Sequence, residues 1–250
     1  MITRKNAEEL VKMRRAGRVV AETIAAVAGA IRPGVTTKQL DEIAEEAIRR
    51  RGAIPSFKGY RGFPATICAS LNDEIVHGIP GKRTLHEGDL FKLDCGAIVD
   101  GFHADSAVTL PVGEIDTELA KLVETTERAL WAGIAECRTG RRIGDIGHAV
   151  QTVAEGAGFS VVREYVGHGV GRALHEEPPV PNYGEPGKGL RLEVGLVIAI
   201  EPMVNVGSED TRLLPDGWTV VTQDGAHSAH FEHTIAVTEE GPEVLTAPAA

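Results

Sequence analysis

The stretch FKLDCGAIVDGFHADSAVTL, Phe91 to Leu110, decides how this chain is read. Asp100-Gly101 is a two-residue hairpin signal, because Gly tolerates positive φ and Asp can reach the left-handed region, and apolar, β-branched runs flank it. With those two residues as the turn, Val99 pairs with Phe102, Ile98 with His103, Gly96 with Asp105 and Asp94 with Ala107. Side chains alternate between faces, so Asp94 and Asp105 point the same way as diagonal neighbours, at most about 7–8 Å apart. Each lies opposite a residue with little or no side chain, leaving room between two like charges. The two strands are read as offering them no basic partner. On a solvated face such acids are unremarkable; on a buried face they need a counter-charge or a shared proton.

Composition narrows the classes. The chain has 250 residues, 42% of them hydrophobic, enough for one sizeable core. Lys and Arg number 26 against 36 Asp and Glu, a net charge of −10, which argues against a nucleic-acid binder working through its global field. Short basic clusters such as Arg49-Arg50-Arg51 and Lys82-Arg83 read as solvated faces. The three cysteines, Cys68, Cys95 and Cys137, are widely spaced and suggest neither a disulfide frame nor a zinc knuckle, so a reducing compartment fits. The opening MITRKNAEELVKMRRAG moves straight into a helical pattern without a signal-peptide core, and no run approaches 18 uninterrupted apolar residues. A cytoplasmic protein with no membrane partner is expected.

The chain also repeats itself at an offset of 106, with Arg32, Gly34, Leu40 and Gly52 opposite Arg138, Gly140, Ile146 and Gly158. In the first half a long helix is expected to run to Pro33-Gly34, and Thr36 with Gln39 forms a capping box for a second helix stopped at Gly52. DTELAKLVETTERALWAGIAECRTG and IGDIGHAVQTVAEGAGF repeat that plan, and each helix pair gives way to short β segments. The expected fold is α+β, with two pseudo-symmetric helix-helix-hairpin halves (about 7–110 and 115–238) around a central antiparallel sheet, in a single catalytic domain spanning 1–250.

The second half brings two more acids in apolar strands, Glu201 in GLVIAIEPMVNV and Glu232 in HFEHTIAVT. Each repeat thus supplies two, and about twenty extra residues around SEDTRLLPDGWTVVTQDG separate the second pair more widely. Burying four unpaired carboxylates would cost several kcal/mol apiece, whereas two divalent cations balance four negative charges. In YVGHGVGRALHEEPPVPNYG, His168 sits between glycines that allow close approach, which makes it a candidate ligand; His175 follows seven residues later. His77 ends an apolar strand before a Gly-Pro turn, where a side chain reaches into a cleft.

Taken together, YRGFPATICASLNDEIVHGIPG, DCGAIVDGFHADSAVT, GHGVGRALHEEP, IEPMVN and FEHTIAVT, in that order, resemble the type I methionine aminopeptidases, dinuclear metallopeptidases with the pita-bread fold. The resemblance covers nearly the whole chain. It implies a methionyl aminopeptidase that removes the initiator methionine when the second residue is small. Its metal ligands would be Asp94, Asp105, His168, Glu201 and Glu232, with Asp105 and Glu232 bridging two divalent ions (Co, Mn, Fe or Zn). Glu201 would shuttle the proton, His175 would stabilise the oxyanion, and His77 would hydrogen-bond the scissile amide. Tyr60, Phe63, Cys68 and Trp218 would form the methionine pocket. Leu174 stands where the family often has an aromatic residue, at a position expected on the pocket rim. Nascent polypeptide N-termini and a ribosome surface would be the partners of a monomer, without nucleic-acid specificity. Other readings are an Xaa-Pro peptidase of the same fold, a two-His-one-carboxylate iron site, and a non-catalytic peptide-binding member of the fold.

Overall fold

The structure, a computed structural model, describes residues 2–247. Helix α1 (Ala7–Ala28) opens with a capping box in which Asn6 Oδ1 accepts from Glu9 N at 3.0 Å and Glu9 Oε2 accepts from Asn6 N at 3.1 Å. Helix α2 (Thr37–Arg50) opens at Thr36 with the expected box, Gln39 N donating to Thr36 Oγ1 at 3.3 Å and Thr36 N to Gln39 Oε1 at 2.9 Å. The first helix is shorter than expected. After Ala28 the chain tightens into a turn, Ala30 N donating to Val27 O and Ile31 N to Ala28 O, because Pro33 bars Arg32 from helical backbone and the final turn cannot be completed.

Five strands follow α2: β1 (Ile54–Pro55), β2 (Ile67–Leu71), β3 (Glu74–Val76), β4 (Leu90–Val99) and β5 (Phe102–Pro111). The second half contains α3 (Thr117–Glu136), α4 (Ile143–Gly156), β6 (Ser160–Val161), β7 (Gly167–Gly169), β8 (Glu176–Val180) and β9 (Val197–Ile200). It continues through β10 (Met203–Asn205), β11 (Thr211–Leu213), β12 (Val220–Thr222), β13 (Ser228–His230), β14 (His233–Val237) and β15 (Pro242–Val244).

The internal repeat is visible in these bounds. α2 and α4 each span 14 residues and begin 106 apart, as do β1 and β6. Gly34 and Gly140 share φ near +90° (90° and 92°), and Leu40 and Ile146 are both fully buried. The isolated bridge between Thr36 and Thr84 has a counterpart between Arg142 and Arg191.

The β4–β5 hairpin has the register read from its turn: Val99 faces Phe102, Ile98 His103, Gly96 Asp105 and Asp94 Ala107. β4 is also paired with β1 and β2, and β9 lies between β7 and β14, all antiparallel. The halves join where β5 meets the chain entering β14, with Glu232 N donating to Ala107 O at 2.8 Å and Ala107 N to Glu232 O at 3.3 Å. Behind the sheets, Val20, Leu40 and Ile48 of the first helix pair pack on Leu93 and Cys95, while Leu130, Ile134 and Ile146 of the second pair pack on Ile198 and Ile200. Burial of each such side chain contributes roughly 1.5–3 kcal/mol, and this packing makes the β4–β5 hairpin and β9 firm supports for the acids they carry. α3 and α4 approach closely at Gly133, where a Cβ would lie 2.8 Å from Val150 Cγ2.

Candidate active site

The residues that the sequence reading assigned to the metal, catalytic and methionine sites, and Leu174, line one cavity of about 370 Å³, which Phe57 and Arg61 complete. Its floor is anionic. Asp105, His168 and Glu232 are buried and offer ligand atoms within 4.8 Å of one another. His168 Nε2 lies 3.5 Å from Asp105 Oδ2 and 3.6 Å from Glu201 Oε1. The His168 tautomer follows from its other nitrogen: Nδ1 is 2.8 Å from Gly169 O, a pure acceptor, so Nδ1 carries the proton and Nε2 turns its lone pair toward the acids. The same cluster holds Asp94, whose buried Oδ1 has no hydrogen-bond partner among the described residues. An orphaned carboxylate oxygen, three further acids and an unprotonated imidazole nitrogen make a donor set that fits divalent cations.

Supporting contacts hold Asp105 in place. Thr234 Oγ1 donates to Asp105 and accepts Asp105 N at 3.1 Å; the neighbouring Thr234 N and His233 Nδ1 both meet Thr246 Oγ1. The space above Gly96 is not open as the hairpin alone suggests, since a Cβ there would meet Phe57 Cε1 at 2.8 Å and Ser56 Cβ at 2.9 Å. The room beside the acids faces the cavity instead.

Without cations the acids crowd one another. Burial, then Asp105, pushes the Asp94 carboxyl well up; burial, then Asp105 and Asp94, does the same to Glu201, and Glu232 is raised likewise. Asp105 is pushed up to about 6, first by burial. His168 is pushed down to about 4, also by burial, so it is neutral wherever the acids ionise.

The upper cavity is apolar. Phe63 and Trp218 meet edge to face at 5.1 Å, and Cys68 and Leu174 pack beside them. Leu174 is only 3% exposed, so it belongs to the wall rather than to the expected rim, because its side chain points back into the cluster of Phe57 and Phe63. Trp218 is carried by the extra segment of the second half, whose strand β12 pairs with β3, the strand that leads into His77. His77 has φ of 62°, a rare conformation for a side-chain-bearing residue that turns the imidazole toward the cavity. His175 stands at the mouth, exposed, with Nδ1 2.7 Å from the Tyr60 hydroxyl.

The sequence profile of metallopeptidase family M24 matches residues 11–239. The chain belongs to metallopeptidase family M24. Among M24 relatives, methionine aminopeptidase 1 of Bacillus subtilis is 56% identical over 98% of this chain and 99% of its own. The crystal structure of methionine aminopeptidase from Rickettsia prowazekii superposes with a TM-score of 0.97 at 42% identity, covering 99% of this chain and all of that one. Prolidase from Pyrococcus furiosus, at 21% identity and a TM-score of 0.80, shares the fold; it matches 99% of this chain but 66% of its own. Among the described residues no helix is long and apolar enough to cross a membrane.

Four residues of the cavity wall and its supporting strands escape the sequence reading. His230 is buried, its Nε2 without a hydrogen-bond partner among the described residues and 3.6 Å from Glu201 Oε2. Its signal is the two-residue period, since it stands two before Glu232. Lys92, two before Asp94, corrects the expectation that these strands hold no basic residue. Its ammonium is buried but bonded to Asn72 O at 2.7 Å and Ser228 O at 2.9 Å, and among the described residues no ion pair joins it to a carboxylate. Arg61 and Phe57 also line the cavity without having been singled out.

A pH dependence follows for metal binding. Asp105 titrates at about 6 in the metal-free fold, above its unfolded value near 4, so its contribution to stability is full below the unfolded value and is lost as pH rises through about 6. Cation binding requires the ionised acid and releases that proton. The stabilisation produced by saturating divalent metal, read as a rise in Tm, is expected to be larger at pH 7.5 than at pH 5, by about 1 kcal/mol in unfolding free energy from Asp105 alone. Calorimetric titration in buffers of differing ionisation enthalpy should show net proton release; none at either pH would refute the ligand assignment.

Proposed function

We propose that this chain is a methionyl aminopeptidase, a metal-dependent hydrolase that removes the initiator methionine from nascent proteins and peptides when the second residue is small. The observation that carries this reading is the joining of two surfaces in one cavity, a buried four-acid, one-histidine cluster and an apolar wall of Phe63, Cys68, Leu174 and Trp218. Residues 1–250 form a single catalytic domain in this reading, and Asp94, Asp105, His168, Glu201 and Glu232 would hold two divalent ions, Asp105 and Glu232 being the acids that would be shared between them. Cobalt, manganese, iron and zinc all suit carboxylates with one imidazole. The working site is cytoplasmic, at nascent-chain N-termini near the ribosome surface, and the enzyme acts as a monomer.

When bound, the metal pair supplies Lewis acidity and a water of lowered pKa. Glu201, at the edge of the acid cluster, would accept a proton from the attacking water and deliver it to the leaving amine. With Nδ1 satisfied by the Tyr60 hydroxyl, His175 directs Nε2–H into the cavity toward the developing oxyanion. His77, pushed down to about 4 by burial and therefore neutral, hydrogen-bonds the scissile amide. Phe63 and Trp218 offer ring edges and faces to the methionine sulfur.

The direct test is release of methionine from Met-Ala-Ser before and after chelation, with each metal added back singly and an Xaa-Pro dipeptide in parallel. Preference for the Xaa-Pro substrate, or turnover unaffected by chelation, would overturn the reading. The small-residue rule also predicts what a branched second residue such as isoleucine does. Overpacking a rigid site costs roughly 1–3 kcal/mol, and a displacement of about 1 Å can cost a hundredfold in rate. Met-Ile peptides are therefore expected to resist cleavage where Met-Ala peptides of matched length are cleaved. Equal cleavage of the two peptides would count against the rule.

A further inference from the structure

We propose that Lys5, on the segment preceding α1, is a positioning residue for His175, acting through the carboxylate of Glu176. This inference rests on the role given above to His175 and extends it to a residue that lies outside the cavity.

Lys5 Nζ donates to Glu176 Oε2 at 2.7 Å and to Thr3 Oγ1 at 2.9 Å, and Thr3 Oγ1 donates to the same Glu176 oxygen at 2.6 Å. Both side chains of the ion pair are largely shielded, 4% exposed for Lys5 and 13% for Glu176. The other oxygen of Glu176 has a different task. Oε1 accepts Arg172 N at 2.8 Å and Ala173 N at 3.2 Å, closing the turn that carries Leu174 and His175. One carboxylate therefore joins the amino-terminal segment to the turn presenting two cavity residues.

The surroundings are shaped for this contact. Gly171 leaves the space that Lys5 occupies, since a Cβ there would lie 2.4 Å from Lys5 Cε and 2.7 Å from Glu176 Oε1. Lys5 is anchored in turn by its own amide, which donates to Gly195 O at 2.7 Å. On the far side, His103 N donates to Gly171 O at 2.7 Å, tying the start of the turn to the hairpin that carries Asp105. A shielded ion pair gains little net stability over an apolar pair of similar volume, but it fixes a carboxylate in one orientation. Lys5 and Thr3, despite the opposing effect of burial, hold the Glu176 carboxyl below its ordinary range, so it stays an anion able to accept all four donors. Without the ammonium, Oε2 turns toward water and the Oε1 contacts that close the turn loosen. His175, already exposed at the cavity mouth, then loses its fixed distance to the reacting carbonyl.

The test is a double-mutant cycle on the full-length, metal-loaded protein: Lys5→Met and His175→Ala, singly and together, with kcat and KM for Met-Ala-Ser, metal content and Tm measured for each. Lys5→Met is expected to lower kcat by about tenfold or more, with KM and metal content little changed. In the His175→Ala background the same substitution is expected to change kcat by less than about twofold, because the group it positions is already gone. A Lys5→Met enzyme as active as the parent overturns the proposal, as does an equal loss in both backgrounds, which would mark Lys5 as merely structural. If Lys5→Met does not fold, Thr3→Val, which removes one exposed donor to Glu176, carries the same comparison with a smaller expected loss. A His175→Ala enzyme of full activity would instead remove the reading beneath the proposal, and the proposal with it.

Discussion

Asp105→Ala and Glu232→Ala are each expected to yield a folded protein that keeps neither divalent metal nor peptidase activity. The two carboxylates lie at the join between the halves, where main-chain hydrogen bonds couple Ala107 to Glu232, and both converge with His168 within 4.8 Å. Deleting either removes a group proposed to serve both ions, so the loss should exceed the roughly 10–100-fold cost of removing a contact that merely supports a ligand. A stability readout separates this from misfolding. The parent should gain Tm on metal addition through mass action, whereas the variants should not. In the absence of metal they should melt no lower than the parent, since each substitution relieves crowding among buried acids whose carboxyls are all raised. Stoichiometric metal in either variant by elemental analysis after gel filtration would refute the bridging assignment.

His175→Ala should behave differently. The imidazole sits at the mouth of the cavity, its ring centroid 4.2 Å from that of His168 and its Nδ1 against the Tyr60 hydroxyl. Its proposed partner is the substrate's developing oxyanion, which does not exist before reaction. Metal content should therefore be retained while kcat/KM falls by about a hundredfold or more, the cost of losing one oxyanion donor. The loss should appear mainly in kcat, because a transition-state contact contributes little to ground-state binding. Metal loss matching that of Asp105→Ala, or a change confined to KM, would sink this role.

The two-residue period and an Asp-Gly turn were sufficient to read the β4–β5 register, because a slip of one residue would move both acids to the opposite face. The capping box at Thr36 was equally legible, since both of its partners lie within four residues of chain. The end of α1 was not, because the tightening after Ala28 depends on how a proline several residues on constrains its predecessor. Within the site, convergence of four acids could be inferred from two similar halves. Contacts between distant segments could not: Tyr60 with His175, Lys5 with Glu176 and Lys92 with two carbonyls involve separations that no local pattern encodes. Leu174 shows the same limit, since whether it lines a rim or a wall depends on the aromatic cluster assembled around it.

The join at Ala107 and Glu232 has a consequence for the order in which the protein is made. Synthesis delivers Asp94 and Asp105 first, on a hairpin whose helices and sheet partners β1 and β2 are already present. His168, Glu201 and finally Glu232 follow, the last of them 127 residues after Asp105. Domains and subdomains organise as they emerge, so the early half carries two carboxylates on one face without His168, Glu201 or Glu232 beside them. A copy that lacks the segment carrying Glu232 therefore holds three of the four acids and cannot assemble the full donor set.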